Sequence, residues 1–189
     1  MTPTHAMVGA AVGALAVSVA PGLGHAAVVA GVVGGAVPDL DLLWTHRRTT
    51  HFPVYAPAVT LPLVPLALLS GSLAAALVAV FAVALAVHPV MDVLCGGVEL
   101  RPWEATSERA VYDHARGRWL RPRRVVRYAG APEDFLFAAA FATPAIAVTT
   151  GRLRGVLVAV LIVSGAFVAV RRRLVPLTER LFAEDTREA

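Results

Sequence analysis

Residues 71–87 read GSLAAALVAVFAVALAV, a run without a single charged side chain. A helix that crosses a lipid bilayer needs about 20 apolar residues, with a range of about 17–25. Residues 155–170, which read GVLVAVLIVSGAFVAV, form a second run of the same kind. These two runs predict transmembrane helices and therefore an integral membrane protein.

The composition of the whole chain agrees with a lipid environment. Of its 189 residues, 57% are hydrophobic and 16% are charged, whereas an ordinary soluble domain has about 45–50% and about 25%. This balance excludes an intrinsically disordered chain and argues against a soluble enzyme. The single cysteine, Cys95, excludes a disulfide framework and a cysteine-rich zinc site. The length predicts one integral-membrane domain over residues 1–189.

Four further apolar segments are shorter or interrupted. They are residues 6–20, 26–37, 54–69 and 135–148. A Pro-Gly turn signal follows the first, and prolines interrupt or end the others, which membrane helices tolerate where neighbours satisfy the backbone. We therefore predict an all-α fold: a polytopic membrane helical bundle of about six helices, some of them short or broken.

Polar sequence lies between and after these segments. Residues 98–134 form the longest polar stretch, which we predict to be a basic, arginine-rich cytoplasmic loop. Within it, residues 111–113 and 118–120 flank the sequence His-Ala-Arg-Gly, a pattern that predicts a small β-hairpin. Residues 174–189 form a polar C-terminal tail.

Arginine determines the predicted orientation. Arg171, Arg172 and Arg173 end the last apolar run, so by the positive-inside rule this end lies in the cytoplasm. Counting back through six helices places residues 98–134 and both chain termini on the same side. The sequence therefore predicts a multi-pass protein of the cell (inner) membrane.

The net charge of +4 favours contact with membrane lipid, and with anionic lipid in particular. Trp103 and Trp119 in the basic loop are typical of side chains at the headgroup level. Nucleic-acid binding would require a folded basic module, and the sequence has none, so we do not expect a nucleic-acid partner.

The few histidines and acidic residues are unevenly distributed between the two sides of the predicted membrane topology. In the six-helix topology His25 lies on the far side, whereas most histidines and acids lie at cytoplasmic helix ends or in cytoplasmic loops. Ionisable groups at membrane depth are costly and are therefore candidates for function. The cytoplasmic set comprises His5, Asp39, Asp41, His46, His51, His88, Asp92, Glu133 and Asp134.

Two pairs in this set have the spacing of ligand pairs. His88 and Asp92 are four residues apart and share one face of a helix, so they could bind one metal ion or close the helix end with a hydrogen bond. Asp39 and Asp41 follow a proline. They could bind a divalent metal ion or cap the start of a helix.

His46 and His51 enclose Arg47 and Arg48 in a short polar segment. The two imidazoles could converge from a loop, and the guanidinium groups could grip an anionic oxygen of a substrate. The alternative is a solvated basic loop that obeys the positive-inside rule.

Together these motifs offer imidazoles and carboxylates without thiolates, a set that suits zinc, manganese or iron. Two ions about 3.5–4 Å apart would clamp the oxygens of a phosphoester, and one ion would activate water. Asp41 or Glu133 would accept the proton, although the position of Glu133 favours capping of a helix start. The rival class is a non-catalytic membrane scaffold, or a transporter that uses the His/Asp cluster as an ion site.

The order of these motifs resembles that of a known family. It is similar to the membrane-bound, metal-dependent hydrolases, also called YdjM-like, LexA-binding, inner-membrane-associated hydrolases. The resemblance covers residues 5–103, and Phe52 stands where the family often has serine. The elements that carry it are His5, Pro38-Asp39-x-Asp41, His46-Arg47-x-x-Thr50-His51, His88-x-x-x-Asp92 and Gly97-x-x-Leu100-x-Pro102.

This resemblance implies hydrolysis that depends on a divalent metal ion, and the His/Asp donor chemistry favours zinc, with manganese or iron as alternatives. Asp41 and His46 would support the ligands or substitute for them. The location at the cytoplasmic membrane face favours a phosphoester or lipid-linked substrate. The metal ligands that the resemblance implies are His5, Asp39, His51, His88 and Asp92.

Overall fold

The computed structural model describes residues 1–185, with the side chains of residues 1–176. This part of the chain forms six α-helices, three short 3-10 helices and two short strands. The α-helices are α1 (Thr2–Val19), α2 (Gly24–Ala36), α3 (Tyr55–Ser70), α4 (Leu73–Leu94), α5 (Pro132–Val148) and α6 (Gly151–Asp185). The 3-10 helices are Pro21–Leu23, Val37–Leu43 and Pro102–Glu104, and the strands are β1 (Tyr112–Asp113) and β2 (Arg118–Trp119).

Within residues 1–185, four stretches of helix are long and apolar enough to cross a membrane. Their mean hydropathies lie between 1.3 and 2.4, and α3 is a shorter apolar helix. The four stretches are Thr2–Val19, Pro21–Leu43, Leu73–Leu94 and Gly151–Pro176. The prediction of an all-α membrane bundle with about six helices is therefore confirmed.

Two helices continue beyond the apolar runs that predicted them. Pro89 lies inside α4, which runs on to Leu94 and so carries His88 and Asp92 on its last turns. Helix α6 continues to Asp185. Residues 174–185 of the predicted polar tail are therefore helical, and residues 186–189 lie outside the described residues.

Glycine sets the distance between α1 and α2. A Cβ atom on Gly31 would lie 1.9 Å from the carbonyl oxygen of Gly9, and one on Gly35 would lie 2.3 Å from the carbonyl oxygen of His5. Small residues allow helix backbones to approach this closely in a membrane. Because α1 carries His5 and α2 leads directly to Asp39, this close packing positions two parts of the candidate site.

Replacing Gly31 with alanine should therefore destabilise the bundle. The added methyl group would collide with backbone atoms of α1, which cannot rotate away as a side chain can, so α1 and α2 must separate. Overpacking of this kind costs about 1–3 kcal/mol. Thermal unfolding in detergent should show a lower midpoint for Gly31→Ala. Gly155→Ala is the matched control, because a Cβ atom at this α6 glycine meets nothing within 4 Å. Equal midpoints for the two variants would contradict the close approach.

Polar helix ends meet at one end of the bundle. Near the start of α1, the Thr4 hydroxyl donates a hydrogen bond to the Asp134 carboxylate at the start of α5. At the opposite end, the backbone N–H of Thr150 donates to Nε2 of His25 over 3.3 Å. The first end also receives the last turns of α2 and α4, and the candidate site lies there.

The predicted hairpin is confirmed and is attached to this end. Tyr112 pairs with Trp119, and Asp113 pairs with Arg118, in an antiparallel register. The Asp113 carboxylate accepts the backbone N–H of Ala115 at 3.0 Å in the turn. The backbone N–H of Tyr112 donates to the carbonyl of Arg47 at 2.9 Å, so the basic loop packs against the segment that precedes α3.

Candidate metal centre

His88 and Asp92 lie on one face at the end of α4. His88 Nε2 is 3.4 Å from Asp92 Oδ2, and both side chains are almost fully buried. The other ring nitrogen, His88 Nδ1, is 2.6 Å from the carbonyl oxygen of Gly35. A carbonyl oxygen only accepts hydrogen bonds, so Nδ1 carries the proton. In the neutral imidazole, Nε2 is then an unprotonated ligand nitrogen that points into the site.

His51 enters from the segment before α3 and is oriented in the same way. Its Nδ1 is 2.8 Å from Asp41 Oδ2, which accepts the proton of that nitrogen. Its Nε2 is then 3.0 Å from His88 Nε2 and 3.1 Å from Asp92 Oδ2. In their neutral forms both imidazoles therefore present lone pairs to each other and to a carboxylate.

Asp39 brings a second carboxylate to the same point. Its Oδ1 lies 3.4 Å from His88 Nε2 and 3.9 Å from His51 Nε2. Its other oxygen accepts a hydrogen bond from the hydroxyl of Thr2. The 3-10 helix Val37–Leu43 turns Asp39 and Asp41 inwards and leaves Leu40 exposed between them.

His5 completes the cluster from α1. Its Nε2 is 3.5 Å from Asp92 Oδ1, and its Nδ1 is 3.8 Å from Asp39 Oδ2. Among the described residues, neither nitrogen has a hydrogen-bond partner, although both are buried. A buried polar atom without a partner costs about 1–3 kcal/mol, and a bound metal ion could supply the missing partner.

The donor set fits a divalent metal ion. Acceptor atoms that face one another across about 3–4 Å repel unless a cation lies between them, and one metal ion would satisfy several of them at once. Two nitrogens bound to a tetrahedral zinc ion at about 2.0–2.1 Å lie roughly 3.3 Å apart. Two groups of residues have ligand atoms within 4.8 Å of one another, and they share Asp39. They are His5, Asp39, His88 and Asp92, and Asp39, Asp41, His46 and His51.

The two arginines of the His46–His51 segment have different environments. Arg47 has a left-handed backbone conformation with φ 61°. Its buried guanidinium contacts Asp92 Oδ1 at 3.3 Å and donates to the carbonyl of Gly96 at 2.6 Å. Burial alone would lower the pKa of Arg47, but its neighbours together, the Asp92 carboxylate foremost, raise it. Arg48 is exposed and lies over the Tyr112 ring, with its Cζ 4.4 Å from the ring centroid.

Asp41 and Glu133, the two predicted proton acceptors, are also placed differently. Asp41 is fully buried; it accepts Nδ1 of both His46 and His51 at 2.8 Å and the backbone N–H of Arg48 at 3.2 Å. Glu133 is not brought to the cluster, because its carboxylate receives the guanidinium of Arg127 at 2.7 Å. Asp41 thus orients two imidazoles at the site, whereas Glu133 lies in an ion pair of the basic loop.

Comparison with known proteins places this arrangement in a family. A family model described as YdjM inner membrane protein matches residues 1–174. The chain belongs to the YdjM family of inner membrane proteins. No curated protein and no solved structure matches it. The membership agrees with the resemblance in the sequence and, with the apolar helices, makes this a membrane protein.

All five metal ligands that the YdjM-like resemblance implied converge in this family member. They come from four separate parts of the chain: α1, the 3-10 helix after α2, the segment before α3, and the end of α4. Four of these residues have ligand atoms within 4.8 Å of one another, and Nε2 of His51 lies 3.0–3.9 Å from atoms of three of the four. The residues are His5, Asp39, His51, His88 and Asp92.

Two contacts of the YdjM-type site could not be recognised in the sequence. The carbonyl of Gly35 orients His88, and a backbone carbonyl leaves no mark in a motif. His114, in the hairpin, donates to the carbonyl of Arg48 at 2.7 Å and packs against Phe52 with ring centroids 4.7 Å apart. The sequence predicted that this part of the basic loop forms a hairpin. It did not indicate that the hairpin would cover the His46–His51 segment.

Proposed function

We propose that this YdjM family member is a membrane-bound hydrolase that depends on a divalent metal ion and acts at the cytoplasmic membrane face. The observation that carries the proposal is the approach of His51 Nε2 and His88 Nε2 to each other and to the Asp92 carboxylate, together with the unpartnered nitrogens of His5. His5, Asp39, His51, His88 and Asp92 would hold the ion, and their chemistry favours zinc, then manganese or iron. When bound, such an ion polarises a phosphoryl oxygen and activates water.

His46 would connect the site with its substrate. Its side chain is 33% exposed, whereas the ligands are nearly inaccessible. Because Asp41 accepts the Nδ1 proton, Nε2 of His46 is left as an acceptor that can take a proton. The exposed Arg48 guanidinium, held over Tyr112, would bind an anionic group of the substrate. Arg47 would keep Asp92 charged and in place.

An apolar groove supports a lipid-linked phosphoester as the substrate. It lies between α3 and α4 and has a volume of about 750 Å³. Its lining includes Pro57, Leu61, Val87 and Val90, and the last two flank the turn of α4 that carries His88. A hydrocarbon chain in this groove would keep an attached phosphoester at the end of the bundle that holds the site.

The burial of the ligands also supports a second candidate function, a non-catalytic metal site in a membrane scaffold. Structural zinc sites are closed, whereas catalytic sites keep an open position. His51 and Asp41 are 0% exposed, and His88 and Asp92 are 1% exposed. The partial exposure of His46 is what favours the catalytic alternative.

Turnover separates the two functions. The full chain, purified in detergent and loaded with zinc, manganese or iron, should release phosphate or alcohol from at least one member of a panel of soluble and lipid phosphoesters. Chelation should abolish this activity, and adding the metal back should restore it. A chain that binds metal stoichiometrically but hydrolyses no ester in the panel would contradict catalysis and support the scaffold.

A further inference from the structure

A second cavity, which is polar, lies between α5 and α6 and shares no residue with the metal centre. Its volume is about 350 Å³. One part of its wall is cationic and polar, and the other part is apolar. The lining residues are Arg127, Tyr128, Pro132, Val168, Ala169 and Arg172.

Of the two arginines that line the cavity, Arg172 is the one available to bind an anion. Its Nε donates to the hydroxyl of Tyr128 at 3.1 Å. Its Cζ lies 5.5 Å from the Trp103 ring centroid and 5.6 Å from that of Tyr128. In the part of the chain that the structure describes, Arg172 makes no ion pair, so its terminal N–H groups are free for an anion.

The surroundings of the cavity have a net positive charge. Arg127 is neutralised by Glu133, with an Nε–Oε1 distance of 2.7 Å. Arg171 stacks near Trp103, 5.7 Å from the ring centroid, and carries no carboxylate partner among the described residues. Arg171 and Arg172 therefore attract a negatively charged ligand to the point where the apolar part of α6 ends.

We propose that this cavity binds the headgroup of an anionic phospholipid. A guanidinium fork matches phosphate oxygens, and basic pockets between membrane helices bind anionic headgroups. Val168, Ala169 and Pro132 offer an apolar wall for the glycerol backbone and the first acyl carbons. This mixture of charged rim and apolar wall favours a lipid over a free anion. The proposal does not depend on the proposed hydrolase activity.

Trp103 provides the reporter for a binding test. The full chain carrying Trp44→Phe and Trp119→Phe is kept in neutral detergent and titrated with phosphatidylglycerol or phosphatidylcholine that has bromine on its acyl chains. Bromine quenches a neighbouring tryptophan. We expect saturable quenching with an apparent dissociation constant at least about fivefold lower for phosphatidylglycerol, since one basic side chain near anionic lipid contributes that much.

Arg172→Gln should abolish this preference, while Arg173→Gln, the matched control at a neighbouring residue that does not line the cavity, should keep it. Circular dichroism and elution volume check that both variants fold. Equal quenching by the two lipids, or a preference that survives Arg172→Gln, would overturn the proposal. So would displacement of phosphatidylglycerol by an equal concentration of inorganic phosphate or of a short oligonucleotide, because the cavity would then recognise any phosphate.

Discussion

His88→Ala removes the stabilisation that zinc gives to the full chain. In the wild type we expect zinc to raise the unfolding midpoint, because a ligand at 100 times its dissociation constant stabilises the folded state by about 2.7 kcal/mol. His88 Nε2 lies within 3.4 Å of two carboxylates and 3.0 Å of His51 Nε2, so its loss opens the centre of the site. The affinity should fall by more than the 10–100-fold typical of a residue that only orients a ligand.

Calorimetric titration of zinc and thermal unfolding with and without zinc measure this change. The matched control is His25→Ala, which removes an imidazole at the opposite end of the bundle, where His25 accepts from Thr150. His25→Ala should keep both the affinity and the thermal shift. If His88→Ala kept them as well, the zinc would bind elsewhere and the site would be wrongly assigned.

Asp41→Asn should weaken metal binding by about 10–100-fold although Asp41 need not touch the ion. The two carboxylate oxygens accept Nδ1 of His46 and Nδ1 of His51, each at 2.8 Å. An asparagine offers one oxygen and one amide nitrogen, so one of these imidazoles must move its proton to Nε2. A protonated Nε2 on His51 cannot bind a metal ion.

Asp113→Asn is the matched control for this variant. Asp113 is equally buried but holds the hairpin turn through Ala115 and Arg116, and an asparagine also suits such a turn. Zinc titration should give the wild-type affinity for Asp113→Asn. Equal losses in the two variants would mean that Asp41 acts only through the stability of the fold.

Much of the fold could be predicted because membrane helices consist of long apolar runs that are easily recognised in a sequence. The uncharged run 71–87 and the run 155–170 correspond to α4 and α6, and the predicted hairpin forms with the expected pairing. The helix ends were harder to predict, because proline does not stop a helix whose backbone is shielded by its neighbours. Pro89 shows this, since α4 passes through it and thereby carries Asp92 into the site.

The ligand set could be predicted from motif order, whereas the orientation of individual side chains could not. Arg47 and Arg48 are identical and adjacent in sequence, yet the positive φ of Arg47 turns it inwards and leaves Arg48 on the surface. Glu133 was expected near the site because of its position on the chain. Instead it forms an ion pair at the surface with Arg127, six residues away. Nothing in the neighbouring sequence indicates that Glu133 would pair with this arginine.

X-ray absorption at the zinc edge of the loaded full chain tests the metal centre most directly. We expect about one or two ions per chain, with only nitrogen and oxygen neighbours at about 2.0–2.2 Å and the outer-shell scattering of imidazole rings. Cys95 is buried nearby and is the single thiol of the chain. A sulfur neighbour at about 2.3 Å, or an ion content too low to load the site, would contradict a centre built from His5, Asp39, His51, His88 and Asp92.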